Sequence, residues 1–553
     1  MPTRSVRLTE ALTPLFRIVA LWRAQRPILL AGILTALAAL AAGIALMAAA
    51  GDLIGSATLG IALAVPSVLA IIGLARVTLR YLERLITHDG TFRALAALRV
   101  WFFRSLAFGA GGGLGYRSAG DILARLVNDI EALDGIFLRI LIPALSALAL
   151  IPVLIIAIGR ESPAAAALAL ALFVIVAFTL PIRAMARSRQ SAAAEAEAGG
   201  ALRTATLDTL AGLREIKVFG AEGRMLAHVQ SQESRLFTAE RTLARHTGTL
   251  QALAFLAAQA ALLTILLIHG TQPVAIVIAA FVVIAAFETA GILPRAGIIA
   301  GRAAAAAARV LEAAETPPRV PDPVAPATLP AATSLTFDAV SFRWTPDAPP
   351  VFDHLSLQIP AGSRIAVLGP SGAGKSTLAA LALKLAAPDS GEIRLGGTNI
   401  ATLRAQEIHT RITWLAQATH LFADTIANNL RLARPDADDQ TIWAALDAAQ
   451  IGDTIRTLPD QLDTWVGEFG SQFSGGQGRR LALARTLLSP APILILDEPC
   501  AGLDLETEQA FMRTINETLA NRTLLLITHR LTGIEKLDRV YRLQNGKLTA
   551  ATR

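Results

Sequence analysis

Nine consecutive residues, Gly369-Pro370-Ser371-Gly372-Ala373-Gly374-Lys375-Ser376-Thr377, carry the most specific chemistry in the chain. Glycines at this spacing let backbone N–H groups converge on phosphate oxygens, and a helix beginning at the lysine adds its positive end. Lys375 would meet the β- and γ-phosphates of a nucleotide, and the Ser376 hydroxyl would sit on Mg²⁺. The apolar run Ile365–Leu368 before the loop reads as a strand and Leu378–Leu385 after it as a helix, the context this pattern needs. A second apolar run, Ile493–Leu496, ends in two adjacent acids, Asp497 and Glu498. Asp497 is suited to hold Mg²⁺ through its water shell, and Glu498 to polarise an attacking water.

Two very different stretches of chain must position these groups. Of the 553 residues 53% are hydrophobic and 17% charged, whereas a water-soluble protein carries about 25% charged residues. This excludes disorder, a collagen-like chain and a disulfide scaffold, and Cys500 is the one cysteine. Crossing a bilayer takes about 20 apolar residues. Six runs qualify: Pro27–Ala50, Leu53–Ala75, Ile140–Gly159, Ser162–Ile182, Thr247–Ile268 and Pro273–Pro294. The first is too long for a cleavable signal. Short turns are expected at Gly51–Asp52, Arg160–Glu161 and His269–Gln272. The long polar stretches Arg76–Arg139 and Arg183–His246 read as helices that continue beyond the membrane, with breaks at Gly111–Gly115 and Gly199–Gly200.

The formal charge of +7 invites a nucleic-acid reading, but its distribution argues otherwise. Residues 1–300 hold 26 basic and 17 acidic groups, and residues 301–553 hold 24 and 26. The surplus sits on the N-terminal tail and the two long stretches. By the positive-inside rule it places both termini and both stretches in the cytoplasm, against anionic lipid headgroups. Nucleic acid is therefore not an expected partner. Pro317, Pro318, Pro321, Pro323, Pro326 and Pro330 forbid a continuing helix or central strand. The expected organisation is a membrane domain over 1–315, a proline-rich linker over 316–330 and a soluble domain over 331–553.

Between the two phosphate motifs stands Phe473-Ser474-Gly475-Gly476-Gln477, which resembles the signature of ATP-binding cassette (ABC) proteins. Further matches follow in the family's order. Gln417 fits the Q-loop glutamine, which also reaches Mg²⁺. Glu468 fits the acidic residue before the signature, Ala501–Asp504 the D-loop, His529 the switch histidine and Trp344 the aromatic that stacks on adenine. Phe473 stands where leucine is usual, and Cys500 where threonine or serine is common. The resemblance covers the whole chain. It implies an exporter-type half-transporter: an all-α six-helix transmembrane domain followed by an α/β P-loop nucleotide-binding domain that hydrolyses ATP with Mg²⁺. A serine hydroxyl and glycine N–H groups at a helix start make a second anion site. In this family Ser474, Gly475, Gly476, Gln477 and Asp504 would face the phosphate loop of another subunit, so the chain is half of a dimer. Ser118–Ala124 and Gly212–Phe219 resemble the short coupling helices that dock on the ATPase domains.

Within that superfamily the chain resembles the CydC side of the heterodimeric CydDC exporters of bacteria. The residues concerned are Arg80–Asp89, Thr91–Arg93, Leu133–Asp134, Leu138–Arg139, Gly212–Glu222 and Thr528–Leu531. That family is associated with export of cysteine and glutathione and with cytochrome bd assembly, and haem has been proposed as its ligand or cargo. The resemblance implies a CydD-like partner, a small-molecule cargo and the bacterial inner membrane.

Two membrane residues stand apart. Glu288 lies about 15 residues, or near 23 Å, into the sixth run. A carboxylate at a helix centre costs about 2.5–3.5 kcal/mol. Arg295, seven residues on, is the expected ion-pair partner; the other reading is a substrate or gating role. His88, beyond the second run, could ligate haem iron or simply hydrogen-bond on its helix. The competing functions are a homodimeric lipid or drug exporter and a haem-sensing assembly ATPase without vectorial transport. A soluble ABC ATPase of DNA repair is contradicted by the six runs.

Overall fold

The computed structural model describes residues 8–58, 66–109, 122–123, 125–268, 272–500, 505–518 and 522–551. The chain divides into two compact units, with the break between Thr316 and Pro317.

Among the described residues the first unit is helical. In order it holds α1 (Leu8–Leu21), α2 (Arg26–Thr58), α3 (Pro66–Gly109), α4 (Ile142–Gly159), α5 (Pro163–Val174), α6 (Leu180–Ala211), α7 (Leu213–Val218), α8 (Glu222–Ile268), α9 (Pro273–Ala290) and α10 (Leu293–Ala314). A π-helical turn at Ile175–Thr179 joins α5 to α6 in one rod. Among the described residues five stretches are long and apolar enough to cross a membrane: Arg23–Ala57, Ile136–Gly159, Pro163–Ala186, Glu222–Leu267 and Pro273–Ala314. The 47 residues of α8 extend about 70 Å, over twice the hydrocarbon thickness of a bilayer.

The first expected turn is not where the sequence suggests. α2 runs through Gly51 and Asp52 to Thr58. A Cβ at Gly51 would lie 3.0 Å from Ile278 Cα, and one at Gly55 would lie 2.8 Å from Val274 Cα. These glycines are points of close helix–helix approach to α9 rather than breaks. The expected second crossing, Leu53–Ala75, is described only in part. Residues 53–58 close α2, 59–65 lie outside the described residues, and 66–75 open α3. On a helix starting at Pro66, Arg76 sits about 15 Å along the axis, Arg80 about 21 Å and Glu83 about 26 Å. All three therefore lie in the first 30 Å of α3, a length comparable with the hydrocarbon thickness of a bilayer.

Gly199 and Gly200 likewise lie inside α6 and break nothing, while Gly111–Gly115 lies outside the described residues. Of the expected coupling segments, Ser118–Ala124 lies outside the described residues apart from 122–123. The other contains α7, followed by Phe219, and Val218 and Phe219 are both exposed. α10 packs against α6 through small side chains, and at Gly297 an added Cβ would fall 2.1 Å from the Pro181 carbonyl oxygen. Arg309 on α10 grips Asp129 through two hydrogen bonds of 2.6 and 2.9 Å.

The second unit holds β1 (Leu335–Phe342), β2 (Phe352–Ile359), β3 (Arg364–Leu368), β4 (Ser390–Leu395), β5 (Thr398–Asn399), β6 (Ile412–Leu415), β7 (Ile493–Asp497), β8 (Thr523–Thr528), β9 (Arg539–Gln544) and β10 (Lys547–Ala550). Four strands form an antiparallel sheet in the order β2-β1-β4-β5, and six form a second in the order β10-β9-β3-β8-β7-β6. β3, β8, β7 and β6 are parallel neighbours. Such strands are covered on both faces and read as continuous apolar runs, and every residue of β7 is buried. The helices that matter to the site are α11 (Lys375–Ala382), α12 (Gly475–Leu488) and α13 (Leu505–Thr518).

Two glycine substitutions test the close packing with opposite signs. Gly297→Ala overpacks α10 against α6 and should cost about 1–3 kcal/mol. Gly200→Ala, where no atom lies within 4 Å of the new Cβ, should stabilise by about 0.5–1 kcal/mol. Thermal melts in detergent read both, and equal shifts would remove the close approach at Gly297.

Candidate nucleotide site and membrane cavity

The register of the parallel strands assembles the site. Leu368 pairs with Thr528, Ile527 with Asp497, and Leu496 with Leu415. The residues that follow each strand, Gly369, His529, Glu498 and Gln417, therefore emerge along one edge, where open α/β sheets bind ligands. Gly372 and Gly374 turn the loop with φ of 80° and 95°. At Gly374 a side chain is also blocked, because a Cβ would lie 2.4 Å from Val351 Cγ1. Pro370, Ser371 and Gly372 are exposed, whereas Lys375 and Thr377 are buried. Lys375 opens α11 and its Nζ donates to the carbonyls of Gly369 and Pro370 at 2.8 and 2.9 Å. Burial pulls its ammonium below the usual lysine range, against the raising pull of Glu498 and Asp497.

Asp497 is 1% exposed. Ser376 Oγ donates to its Oδ2, while Oδ1 has no partner in the protein. Burial raises its carboxyl above the ordinary range, and the nearby Glu498 adds to this. An unsatisfied, buried carboxylate oxygen beside a hydroxyl is a hard-oxygen pair that fits Mg²⁺. Glu498 is held from two sides: Gln417 Nε2 donates to Oε2 at 3.0 Å, and His529 Nε2 lies 2.5 Å from Oε1. His529 Nδ1 lies 2.8 Å from the Gly369 carbonyl. Nδ1 also lies 3.4 Å from Lys375 Nζ, so the ring bridges the phosphate loop and Glu498. Gln417 uses its amide nitrogen on Glu498, so only its side-chain oxygen is left to face a cation.

Arg479 is the residue that the sequence did not single out. It is 8% exposed, and its guanidinium reaches the carbonyls of Gln417 at 2.5 Å and Asp497 at 2.7 Å, and that of Glu498 as well. One side chain so ties the backbone of three site residues together. Its neighbour Arg480 is also an arginine, and only the face of α12 that packs inward distinguishes them.

Comparison with known proteins agrees with this geometry. The ABC transporter transmembrane region matches residues 28–289, and the ABC transporter model matches residues 352–501. The glutathione/L-cysteine transport system ATP-binding/permease protein CydC of Escherichia coli (strain K12) is 31% identical over 85% of this chain and 83% of that protein. The chain belongs to the CydC/CydD family of ABC transporters. The corresponding CydD of Bacillus subtilis (strain 168) is 34% identical over 86% of this chain and 84% of that protein. A bacterial Atm1-family ABC exporter solved with ATP bound superposes with a TM-score of 0.83 at 26% identity, covering 95% of this chain and 94% of that one. The chain is thus a multi-pass membrane protein built as an ATP-hydrolysing ABC exporter, and its ATPase domain implies the use of ATP and Mg²⁺.

The remaining ABC motifs take defined places. Ser474 caps α12 in a capping box, its Oγ accepting from Gln477 N at 3.3 Å while Gln477 Oε1 accepts from Ser474 N at 2.9 Å. Ser474 and Gly475 are exposed and Gly476 half-buried at the positive end of this 14-residue helix. Glu468 is exposed in a short turn before it, and Phe473 packs against the core. Asp504, with the rest of Ala501–Asp504, lies outside the described residues. Trp344 is 41% exposed, with the Arg319 guanidinium 4.8 Å from its ring centre. Burial pushes the Cys500 thiol up to about 12.

In the ABC transporter's membrane unit, Glu288 lines a cavity of about 510 Å³ together with Arg76, Arg80, Glu83, Arg139 and Arg295. The expected ion pair with Arg295 is not among those formed by the described residues. The turn at Gly291–Ile292 separates α9 from α10, so spacing along one continuous helix does not carry over. His88 is not part of this lining. Its Nδ1 donates to the Arg84 carbonyl at 2.8 Å and its ring meets Phe92 edge-on, leaving Nε2 for any ligand.

Two results are expected. Arg479→Gln should lower the ATP turnover rate by about 10–100-fold, as loss of a group that orients site residues does, with a smaller change in ATP affinity measured by equilibrium binding. With its thiol up to about 12, Cys500 holds almost no thiolate near neutral pH, so N-ethylmaleimide should label it only after denaturation.

Proposed function

We propose that this chain is one half of an ATP-driven exporter of small thiol compounds of the cysteine and glutathione type. It works in the bacterial inner membrane beside a second, similar ABC half, CydD-like if this chain is CydC-like. The observation that carries the cargo reading is the match to glutathione/L-cysteine transport proteins over 85% of the chain, a span that includes the membrane unit and not only the ATPase. The charged lining of the membrane cavity supports a small polar cargo over an acyl chain. The arginine excess of the N-terminal tail and long polar helices supports cytoplasmic termini.

In the proposed cycle Lys375 exchanges the Gly369 and Pro370 carbonyls for the β- and γ-phosphates of ATP. Trp344 stacks on adenine with the face not covered by Arg319. Ser376, Asp497 and the Gln417 side-chain oxygen hold Mg²⁺, which when bound neutralises phosphate charge. Glu498 polarises the attacking water, while His529 and Gln417 fix its two oxygens and Arg479 fixes the backbone beneath them. Ser474, Gly475, Gly476 and Gln477 present the α12 start to the nucleotide held by the other subunit. ATP then favours the closed pair because it binds that state better, and hydrolysis removes the preference.

The test is ATP-dependent uptake of labelled cysteine and glutathione into inverted membrane vesicles, alongside co-purification of a distinct ABC half. Glu498→Gln should cut hydrolysis by about 10²–10⁴-fold and abolish uptake while ATP still binds. Vesicles with full ATPase activity but no thiol uptake would sink the cargo reading, and recovery of this chain as a homodimer would sink the partner.

A further inference from the structure

The cavity of about 510 Å³ is walled by α2, α3, α4, α9 and α10, with Arg139 just before α4. Of its six charged residues, Arg80 and Glu83 face each other at 3.5 Å. Among the described residues Arg76, Arg139, Arg295 and Glu288 have no ion-pair partner within 4 Å, although all four share one lining. Unpaired charges at membrane depth mark substrate or ion pathways. Here the surplus is specific: three guanidiniums and one carboxylate.

We propose that this cavity is a cargo site that reads charge rather than the thiol. It takes a small molecule carrying two carboxylates and one ammonium group, as glutathione does, in preference to cysteine with its single carboxylate. The inference rests on the exporter reading above and names how that exporter recognises its load. Guanidiniums bind carboxylates as planar, two-pronged partners, and three of them outnumber what Glu288 alone neutralises. Glu288 in turn offers the ammonium its one free carboxylate. The volume lies in the range of small-molecule sites, about 300–1,000 Å³. The lining contains no cysteine, since Cys500 belongs to the other unit, so no thiol–disulfide exchange can select the cargo there. A ligand with two carboxylates but no ammonium would leave Glu288 facing like charge. An acyl chain would strip water from every guanidinium without replacing its hydrogen bonds.

The experiment uses the full chain assembled with its partner in lipid nanodiscs and follows equilibrium binding of reduced glutathione. Four probes accompany it: ophthalmic acid, which lacks the thiol; glutathione diethyl ester, which lacks both carboxylates; N-acetylglutathione, which lacks the ammonium; and haem, with two carboxylates and no ammonium. Ophthalmic acid should bind as glutathione does, whereas the ester should bind at least about 10-fold more weakly. Arg139→Gln and Arg295→Gln should each weaken glutathione by about 10-fold, and Arg295→Lys by less. Glu288→Gln should weaken glutathione by about 10-fold and leave N-acetylglutathione unchanged. Melting temperatures confirm that each variant is folded, and the ligand series on the unmodified protein needs no variant at all. Equal binding of the ester, or equal loss of both peptides in Glu288→Gln, overturns the proposal. So does haem that displaces glutathione with no dependence on Glu288. If thiols are exported but the ester binds as well as glutathione, this inference fails and the exporter reading stands. If the charge selectivity holds but no thiol is exported, the reverse is true.

Discussion

Backbone hydrogen bonds among β3, β8, β7 and β6 hold Gly369 and His529, 160 residues apart in sequence, within 2.8 Å of each other. The same parallel register delivers Asp497 and Glu498 from β7 and Gln417 from beyond β6. Arg479 from α12 is the side chain that reaches across to tie these strand ends together. The sheet places the backbone, and short polar groups close the remaining gaps. Because these strands are buried on both faces, slipping one residue in any pair would turn apolar side chains to the wrong layer and separate the acids from the phosphate loop.

Collecting so many charges at one buried edge would be unfavourable if they did not answer each other. Asp497 and Glu498 are adjacent in sequence, and burial already opposes ionisation of the former. Lys375 from the loop and Arg479 from α12 bring positive charge to both, and burial opposes ionisation in each of these cations too. The site is therefore a balanced set in which removal of one member raises the cost of the others. Arg479 has a further part, since its hydrogen bonds go to carbonyl oxygens and thus set the direction of the two acids as well as their charge balance.

What was legible in the sequence follows the range of the physics involved. The phosphate loop is local: glycines, lysine and serine act within nine residues, and a strand and a helix flank them as the pattern requires. Ile493–Leu496 with its two acids is equally local. Arg479 was not legible, because its importance depends on which side of α12 faces the sheet, and Arg480 has the same chemistry one residue away. Gly51–Asp52 misled for the opposite reason. Glycine reads as a break when taken alone, but here it meets the backbone of α9, and no hydropathy pattern distinguishes the two uses. The Glu288–Arg295 pairing failed at Gly291–Ile292, where the helix that its spacing assumed is interrupted. Exporter architecture was readable from the order of motifs, whereas the charged cavity was not, since its wall draws on four separate stretches of chain.

The length of the helices has a mechanical consequence. α3, the joined α5–α6 rod and α8 are each single bodies far longer than a bilayer is thick. A stiff rod pivoting within the membrane magnifies displacement in proportion to its overhang. Slight tilting within the membrane thus becomes a larger sweep where α6 and α8 converge on α7. The π-helical turn at Ile175–Thr179 is an irregularity in the α5–α6 rod where such leverage can be absorbed rather than transmitted. The stiffness of that turn then sets the gearing between the two ends of the machine.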